Sequence, residues 1–260
     1  MTLRCDIVTL FPDLVGPVLG QSMLKRAQDK GLLEVRVLNL RDYTLDRHQV
    51  ADDAPYGGGA GMVMKAEPIF RAVEALRADY GEDMRLLMPS PQGRPFTQRV
   101  AEELSAERRR LVFVCGHYEG IDERVRQGLE PEEISIGEYV LTGGELPALV
   151  IVDAAARLIP GVLGHPESAL AESFADSLLD FPQYTRPAEV RGLAVPEVLV
   201  SGNHEAVRRW RRKEALRNTW LKRPDLLRDR LLSDEDRRLL DEVMQERAHI
   251  CDVSGGGRLS

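Results

Sequence analysis

Hydrophobic positions in the first 160 residues alternate between short β-type runs and longer helical stretches. Runs rich in β-branched residues predict strands at 3–10, 33–38, 84–88, 110–115 and 134–141. Apolar residues three and four positions apart predict helices at 67–80, 97–106 and 146–158. This alternation favours an α/β fold, with an N-terminal domain built on a mainly parallel sheet.

The pattern changes after residue 160. Residues 161–180 mix glycine, proline, serine, alanine and acids without a sustained period, which predicts a flexible linker or lid. Prolines then separate segments with helical spacing, the clearest at 203–218 and 233–248. We therefore predict an α/β domain at 1–160, a linker at 161–180 and a small, mostly helical domain at 181–253. The glycine-rich end at 254–260 predicts a frayed tail.

The composition sets the broad class of protein. A chain of 260 residues with 43% hydrophobic and 30% charged residues is typical of a globular protein with a real core. The cysteines Cys5, Cys115 and Cys251 lack the spacing of a zinc site or a disulfide framework, which favours a reducing compartment. No apolar run approaches the roughly 18 residues of a membrane span, and the charged N-terminus is no signal peptide. We expect a soluble, cytoplasmic protein without a membrane partner.

The distribution of charge points towards RNA although the net charge does not. A net charge of −7 argues mildly against a nucleic-acid partner. Residues 204–230, however, contain ten basic residues and only four acids, with Trp210 and Trp220 interleaved. Such a stretch is typical of a helical surface that faces RNA. A solvated basic helix face is the alternative.

Four glycine-rich loops carry the candidate binding chemistry. The loop at 55–61 is not a phosphate loop, because no Gly-Lys-Ser/Thr follows it, and Met62 stands where a dinucleotide fingerprint needs its third glycine. A plain flexible turn is the alternative for this loop. The loops at 89–93, 116–124 and 136–147 accompany three predicted strands. Because ligands of open α/β sheets bind at the carboxyl ends of strands, these loops predict one pocket, suited to an adenosine-bearing ligand.

Long motifs in these loops and in the C-terminal half carry a resemblance to a known family. They are PYGGGAGM at 55–62, GHYEGIDERV at 116–125, the loop at 136–147, SFADSLLDFPQYTRP at 173–187, VPEVLVSGNHEAVRRWRRKEAL at 195–216 and RNTWLKRPDLL at 217–227. In this order they closely resemble the bacterial tRNA (guanine-N1)-methyltransferase family, from Arg4 to about Leu227.

The resemblance implies both a fold and a reaction. Enzymes of this family belong to the knotted, SPOUT-type methyltransferases, so a deep trefoil knot is expected in the α/β domain, although true knots are rare. The expected reaction transfers a methyl group from S-adenosylmethionine to N1 of guanosine 37, beside the tRNA anticodon. The family's enzymes are homodimers with a shared active site, and magnesium can assist them. We therefore expect the tRNA anticodon stem-loop, and no DNA, as the nucleic-acid partner.

Positions that match the family's donor-binding motifs are the expected contacts of the methyl donor. They are Ser90, Pro91, Gln92, Gly116, Tyr118, Glu119, Ile136, Gly137, Glu138, Tyr139, Val140, Leu141, Gly143, Gly144 and Pro147. Most would act through backbone groups or as apolar walls. The sequence shows no metal-coordinating cluster of its own, so no residue is assigned to magnesium.

Methylation of guanine N1 needs a base for the N1 proton and a positive group at O6. By resemblance, Arg157 matches the residue that holds O6, and Glu172 matches the base, where the family more often has aspartate. Asp180 is a second candidate base and Asp176 a weaker third. The alternative for the acids is a solvated linker carboxylate, and for Arg157 an arginine favoured by the helix dipole.

The remaining expectations concern RNA. Arg186, His204, Arg208, Arg209 and Arg212 are expected, as a set, to contact the anticodon stem-loop. His48, Asp53 and Gly59 are expected near the target guanine or its 5′ neighbour, with a structural loop histidine as the alternative for His48. Two rival hypotheses are a knotted methyltransferase acting on another RNA site and a non-catalytic RNA-binding protein with a degenerate pocket.

Overall fold

The computed structural model describes residues 2–164, 172–174, 176–228 and 230–255, with side chains as far as 247. The chain divides into two compact units, Met1–Pro166 and Glu167–Ser260. This division falls inside the predicted linker at 161–180, of which 165–171 and 175 lie outside the described residues. The finer bounds predicted for the linker therefore stay predictions.

The first unit is built on a parallel sheet. Its strands are β1 (Leu3–Thr9), β2 (Leu33–Asn39), β3 (Asp52–Asp53), β4 (Val63–Met64), β5 (Met84–Pro95), β6 (Arg110–Val114) and β7 (Glu132–Ser135). Five of them pair in parallel in the order β2-β1-β6-β5-β7, whereas β3 and β4 form a small antiparallel pair. The predicted α/β fold with a parallel central sheet is confirmed.

Helices cover both faces of this sheet. They are α1 (Pro12–Leu19), α2 (Ser22–Asp29), α3 (Ala66–Tyr80), α4 (Gln98–Ser105), α5 (Arg124–Leu129) and α6 (Glu145–Ala156), with a short 3-10 helix at Leu40–Tyr43. In β6, Phe113 belongs to the hydrophobic core shared with α1, α2, α4 and α6. Its neighbour Val112 belongs to the core shared with α3 and α5. Burial on both faces explains the continuous apolar strands.

Two predicted strand ends need correction. β5 continues to Pro95 instead of ending at 88, because its ladder with β7 resumes after a bulge between Pro89 and Arg94. β7 ends at Ser135 instead of 141, because the Ser135 hydroxyl accepts from the Gly137 N–H at 3.3 Å and donates to the Gly137 carbonyl at 3.1 Å. Both changes lie in the loops that line the cleft described below.

A buried ion pair joins three strands of the sheet through side chains. Arg110, at the start of β6, donates to Asp6 on β1 at 3.1 Å and to Glu34 on β2 at 2.7 Å. Its guanidinium also lies over the Tyr80 ring at 3.9 Å. Asp6 is fully buried, and this burial raises the pKa of its carboxyl although Arg110 opposes the shift. Removing one partner of such a pair typically costs about 3–5 kcal/mol.

The second unit is mostly helical. It contains β8 (Glu189–Val190), β9 (Leu193–Ala194), α7 (Glu197–Val200), α8 (His204–Lys222), α9 (Asp225–Arg228) and α10 (Asp234–Gly255). Leu178, Leu216 of α8 and Leu239 of α10 form its core. Both predicted long helices are present and extend further than predicted. Ser254 and Gly255 are helical, which corrects the predicted start of the tail, and 256–260 lie outside the described residues.

Two observations bear on the expectations from composition. Cys5 and Cys115 are free and buried, and burial raises the pKa of both thiols, so neither is a reactive nucleophile. The side chain of Cys251 lies outside the described part of α10. No helix among the described residues is long and apolar enough to cross a membrane.

Candidate functional site

A cleft of about 290 Å³ opens at the bulge of β5 and at the carboxyl ends of β6 and β7. This is where ligands of open α/β sheets bind. All the expected donor contacts line the cleft except Glu138. The sequence motifs missed further lining residues, among them His117, Ile121 and Arg126. His117 lies within the motif at 116–125, which gives it no individual role. The structure adds that its ring contacts those of Phe11 and Tyr118.

The floor of the cleft depends on a close approach between β5 and β7. The Ser90 hydroxyl accepts from the Gln92 N–H at 3.2 Å, which shapes the bulge of β5. A Cβ atom at Gly93 would lie 2.3 Å from the backbone nitrogen of Ile134 and 2.4 Å from the carbonyl carbon of Glu133. Because both neighbours are backbone atoms of β7, only glycine fits at this position.

The loops after β6 and β7 contact each other directly. The Gly144 N–H donates to the Gly116 carbonyl at 2.8 Å, and His117 and Gly143 form an isolated antiparallel bridge. Val140 in the second of these loops is 84% exposed. Tyr139 and Leu141 beside it are also exposed, by 55% and 40%, so this loop offers several apolar side chains to the cleft.

The glycine loop at 55–61 is tied to the loop after β6. The Glu119 N–H donates to the Met62 carbonyl at 3.0 Å, and the Met64 N–H donates to the Gly120 carbonyl at 2.9 Å. A Cβ at Gly61 would lie 2.3 Å from the Glu119 carboxylate, so glycine is needed for this contact. The two loops are therefore joined by backbone hydrogen bonds on both sides of Glu119.

Three residues in or before this glycine loop, His48, Asp53 and Gly59, are expected near the target guanine. Their local environments differ. Gly59 has a φ of +127°, which glycine adopts readily. The Asp53 carboxylate accepts from the Ala54 N–H at 2.9 Å and lies 3.6 Å from the Lys65 ammonium. His48 is exposed, and its backbone N–H donates to Asp46 at 3.1 Å. Their roles towards RNA stay predictions.

The lining of the cleft is made of backbone groups and partly exposed side chains. Its walls combine glycine backbone with Tyr139, Val140 and Leu141, of which Tyr139 is 55% exposed. The nitrogen Nδ1 of His117 is buried there without a hydrogen-bond partner among the described residues. No group of three potential metal ligands occurs in the described part of the chain. Magnesium therefore stays an expectation from the resemblance.

Arg157 lies at the end of α6 and outside the lining of the cleft. It lines a separate hollow with residues of α1 and α2, including Val18 and Met23.

Exposed apolar side chains occur in i,i+4 pairs on the two contacting helices α1 and α6. They are Leu14, Val18, Leu146 and Val150, exposed by 44%, 44%, 49% and 47%. We call these four residues the α1/α6 patch.

The three candidate bases line a hollow of the second unit, together with Arg208, Arg211 and Arg212. Burial would raise the pKa of Asp176, but its pairs with Arg212 and Arg230, both at 2.8 Å, lower it overall. A carboxyl with a lowered pKa is a weak base. Asp180 accepts from the Phe181 N–H at 2.7 Å and from Gln183 at 3.2 Å, which gives it a structural role. Glu172 is half-buried in the same hollow.

Five basic residues of α8 are paired with acids of α10: Arg208, Arg209, Arg212, Lys213 and Arg217. Arg212 makes two hydrogen bonds to Asp236, at 2.6 and 2.8 Å. Arg208 lies 3.3 Å from Glu235, and Arg209 pairs with Glu242. Acids of α10, which follow residues 204–230 in the sequence, therefore offset part of the positive charge of α8. Arg186 and His204 are exposed.

Replacing Asp236 with asparagine should destabilise the second unit by about 3 kcal/mol at pH 7, because Arg212 loses its buried partner. Hydrogen bonds from Arg212 lower the pKa of Asp236. Its contribution is therefore present above the ordinary carboxyl pKa and lost as pH falls below about 4. Both tryptophans, Trp210 and Trp220, lie in this unit, so denaturant titration followed by tryptophan fluorescence reports on it in the full chain.

The matched control is Asp234→Asn, whose side chain is 84% exposed and whose loss should cost at most about 1 kcal/mol. The difference between the Asp236 variant and the parent should shrink as the pH falls from about 4 to about 2. A difference that persists at low pH would contradict the ion-pair explanation.

Comparisons with known proteins agree on one family. Residues 3–229 match the family tRNA (Guanine-1)-methyltransferase TrmD. A tRNA (guanine-N(1)-)-methyltransferase of Dictyoglomus turgidum is 56% identical over 244 residues, which cover 94% of this chain and 98% of that protein. One from Moorella thermoacetica is 57% identical over 243 residues, covering 93% and 96%. One from Bacillus licheniformis is 54% identical over 240 residues, covering 92% and 98%.

Proposed function

Because this chain belongs to the tRNA (guanine-1)-methyltransferase family, we propose that its cleft binds S-adenosylmethionine and that its target is guanosine 37. The chain is a methyltransferase that modifies N1 of guanine in tRNA. The observation that carries the donor assignment is the convergence of three separated glycine-containing segments on one cleft, at the bulge of β5 and the carboxyl ends of β6 and β7.

The residues of the cleft fit this donor. Backbone groups of Gly116, Gly137 and Gly144 suit the polar edge of adenine and ribose, and Val140 and Leu141 suit the ring face. When bound, S-adenosylmethionine supplies a methyl group made electrophilic by its sulfonium. Ser90, Pro91 and Gln92 of the β5 bulge also line the cleft.

We assign the proton transfer to Glu172. N1 of guanine carries a proton at neutral pH, so a carboxylate must remove it as the ring becomes nucleophilic. Arg157 then donates hydrogen bonds to O6, where negative charge develops. Asp176 is disfavoured as the base by its pairs with Arg212 and Arg230.

A homodimer with a shared active site accounts for the position of Arg157. In one chain Arg157 lines a hollow beside α1 and α2, and the α1/α6 patch leaves four apolar side chains exposed. A two-fold dimer would pair this patch with itself. In our proposal Glu172 of the partner subunit acts on the guanine presented at this chain's donor cleft.

Val150→Asp should weaken the dimer by about a hundredfold or more, because it places an unpaired carboxylate in an apolar interface. Sedimentation equilibrium measures the change. Leu45→Asp is the matched control, since Leu45 is 83% exposed and belongs to neither α1 nor α6. An unchanged dimer in the Val150 variant would exclude the α1/α6 patch as the interface.

The trefoil knot and RNA docking are also proposals. The knot is supported by the path of the chain: β7 pairs at the sheet edge beside β5, yet the loop that follows it contacts the loop after β6, in the middle of the sheet. For RNA, we keep the exposed Arg186 and His204 as the first contacts. Arg208, Arg209 and Arg212 would have to exchange an acidic partner for phosphate.

The test uses labelled S-adenosylmethionine and unmodified tRNA transcripts with guanosine at positions 36 and 37. A matched transcript with adenosine at position 37 is the control. Transfer to the first transcript alone supports the proposed target. Equal transfer to both would favour the rival hypothesis of a knotted methyltransferase acting on another RNA site.

A further inference from the structure

A buried carboxylate lies directly behind the loop that follows β7. Glu145, the first residue of α6, is only 2% exposed. Its Oε1 accepts from the Thr9 hydroxyl at 2.7 Å, and that hydroxyl accepts from the Phe11 N–H at 2.8 Å. Thr9 is itself fully buried at the end of β1. Both hydrogen-bonding roles of the hydroxyl are therefore used, and the Glu145 carboxylate is oriented from the sheet.

The second oxygen of this carboxylate faces an imidazole without completing a hydrogen bond. Oε2 of Glu145 lies 3.6 Å from Nδ1 of His117, which is about 0.5 Å too long for a good hydrogen bond. This nitrogen is buried and has no hydrogen-bond partner among the described residues. The Phe11 ring holds the imidazole in place, with ring centroids 4.4 Å apart. Because buried polar atoms are normally paired, a slightly closer arrangement is favoured.

The two groups belong to the two loops that meet at the donor cleft. His117 follows Gly116, and Glu145 follows Gly144, whose N–H donates to the Gly116 carbonyl at 2.8 Å. A Cβ at Gly143 would lie 2.2 Å from Oε2 of Glu145 and 2.4 Å from Nδ1 of His117. Glycine at this position therefore leaves room for the two side chains to meet.

We propose that His117 and Glu145 form a donor-dependent latch anchored by Thr9. A donor bound in the cleft that His117 lines shifts the imidazole towards Glu145 across the two joined loops, and Nδ1–H of His117 then donates to Oε2 of Glu145. This inference rests on the proposed function, because it requires S-adenosylmethionine in the cleft. Both are positioning residues, since they act through the backbone around Gly116 and Gly144 and transfer no proton. Neither residue was assigned a role from the sequence motifs.

Two substitutions of His117 test the latch by calorimetric titration with S-adenosylmethionine. His117→Leu removes the donor atom and should weaken binding about tenfold. His117→Asn places an amide N–H near the position of Nδ1 and should restore affinity to within about threefold. The KM for tRNA should not change in either variant. Equal affinities of the parent and the leucine variant would overturn the latch.

A double-mutant cycle separates a latch from a purely structural contact. His117→Leu is combined with Glu145→Met, and both donor affinity and unfolding of the donor-free protein are measured. The latch predicts coupling in donor affinity and none in donor-free stability. Coupling in donor-free stability alone would overturn it. If Glu145→Met does not fold, the comparison of the two His117 variants still decides the question.

Nuclear magnetic resonance provides a readout independent of turnover. With labelled histidine, an exchange-protected Nδ1–H signal assigned to His117 should appear when S-adenosylmethionine is added. Its absence from the donor complex would overturn the latch while leaving the donor cleft intact. A parent chain that binds no S-adenosylmethionine would overturn the proposed cleft and the latch together.

Discussion

Replacing Glu172 with glutamine should abolish methyl transfer to tRNA while S-adenosylmethionine still binds. Glutamine keeps the size and polarity of the side chain but cannot accept the N1 proton of guanine. Loss of a general base typically lowers the rate by about 10²–10⁴-fold. Single-turnover transfer with saturating tRNA measures this step without the contributions of tRNA binding and product release.

Asp180→Asn is the matched control for the Glu172 variant. The Asp180 carboxylate already accepts from Phe181 and Gln183, and an asparagine oxygen can keep the shorter of these hydrogen bonds. We expect its rate to stay within about tenfold of the parent. Near-normal turnover by the Glu172 variant, with a deep loss in the Asp180 variant, would move the base to Asp180.

Gly93→Ala should destroy the donor cleft by forcing β5 and β7 apart. The added methyl group would lie 2.3 Å from the Ile134 nitrogen, and no side-chain movement can relieve a clash with backbone. We expect the free energy of unfolding to fall by about 3 kcal/mol or more. We also expect S-adenosylmethionine binding to be lost, because Ile134 and Ile136 line the cleft. Thermal unfolding and calorimetric titration measure the two effects.

Gly16→Ala is the control for this substitution. Gly16 lies in α1, and a Cβ there would meet nothing within 4 Å. The same chemical change should therefore be neutral or stabilise the helix by up to about 1 kcal/mol. If Gly93→Ala bound S-adenosylmethionine like the parent, the close approach of β5 to β7 could not be what shapes the cleft.

The sheet was predictable because strands buried on both faces carry a strong local signal. The run around Phe113 is apolar without interruption, and the run around Ile7 is broken only by residues such as Asp6 and Thr9 that are themselves buried. Both became central parallel strands. The predicted end of β5 was wrong, because strand pairing with β7 outweighed the local sequence preference for a loop. Pro89 and Pro91 predict a loop, yet β5 resumes its ladder at Arg94 beyond them. Helix α1 was missed because Gly16 and Pro17 are poor helix formers.

The lining of the cleft was predictable because its residues fall in contiguous motifs, whereas the residues that support it come from distant parts of the chain. Donor binding there stays a proposal. Thr9 and Glu145 are 136 positions apart, so no local pattern could join them. The basic stretch of α8 shows the same limit. Asp236, the partner of Arg212, lies 24 positions after it and outside the basic stretch at 204–230. Sequence motifs therefore predict the lining of a cleft more readily than the distant residues that support it.

The most direct test of the central claim is to identify the product nucleoside and its position. A tRNA transcript with guanosine at position 37 is methylated by the parent chain, digested with nuclease and analysed by mass spectrometry. We predict 1-methylguanosine at position 37, and none in a transcript altered at that position. A methyl group on another atom or at another position, with S-adenosylmethionine still bound in the cleft, would contradict the proposed target.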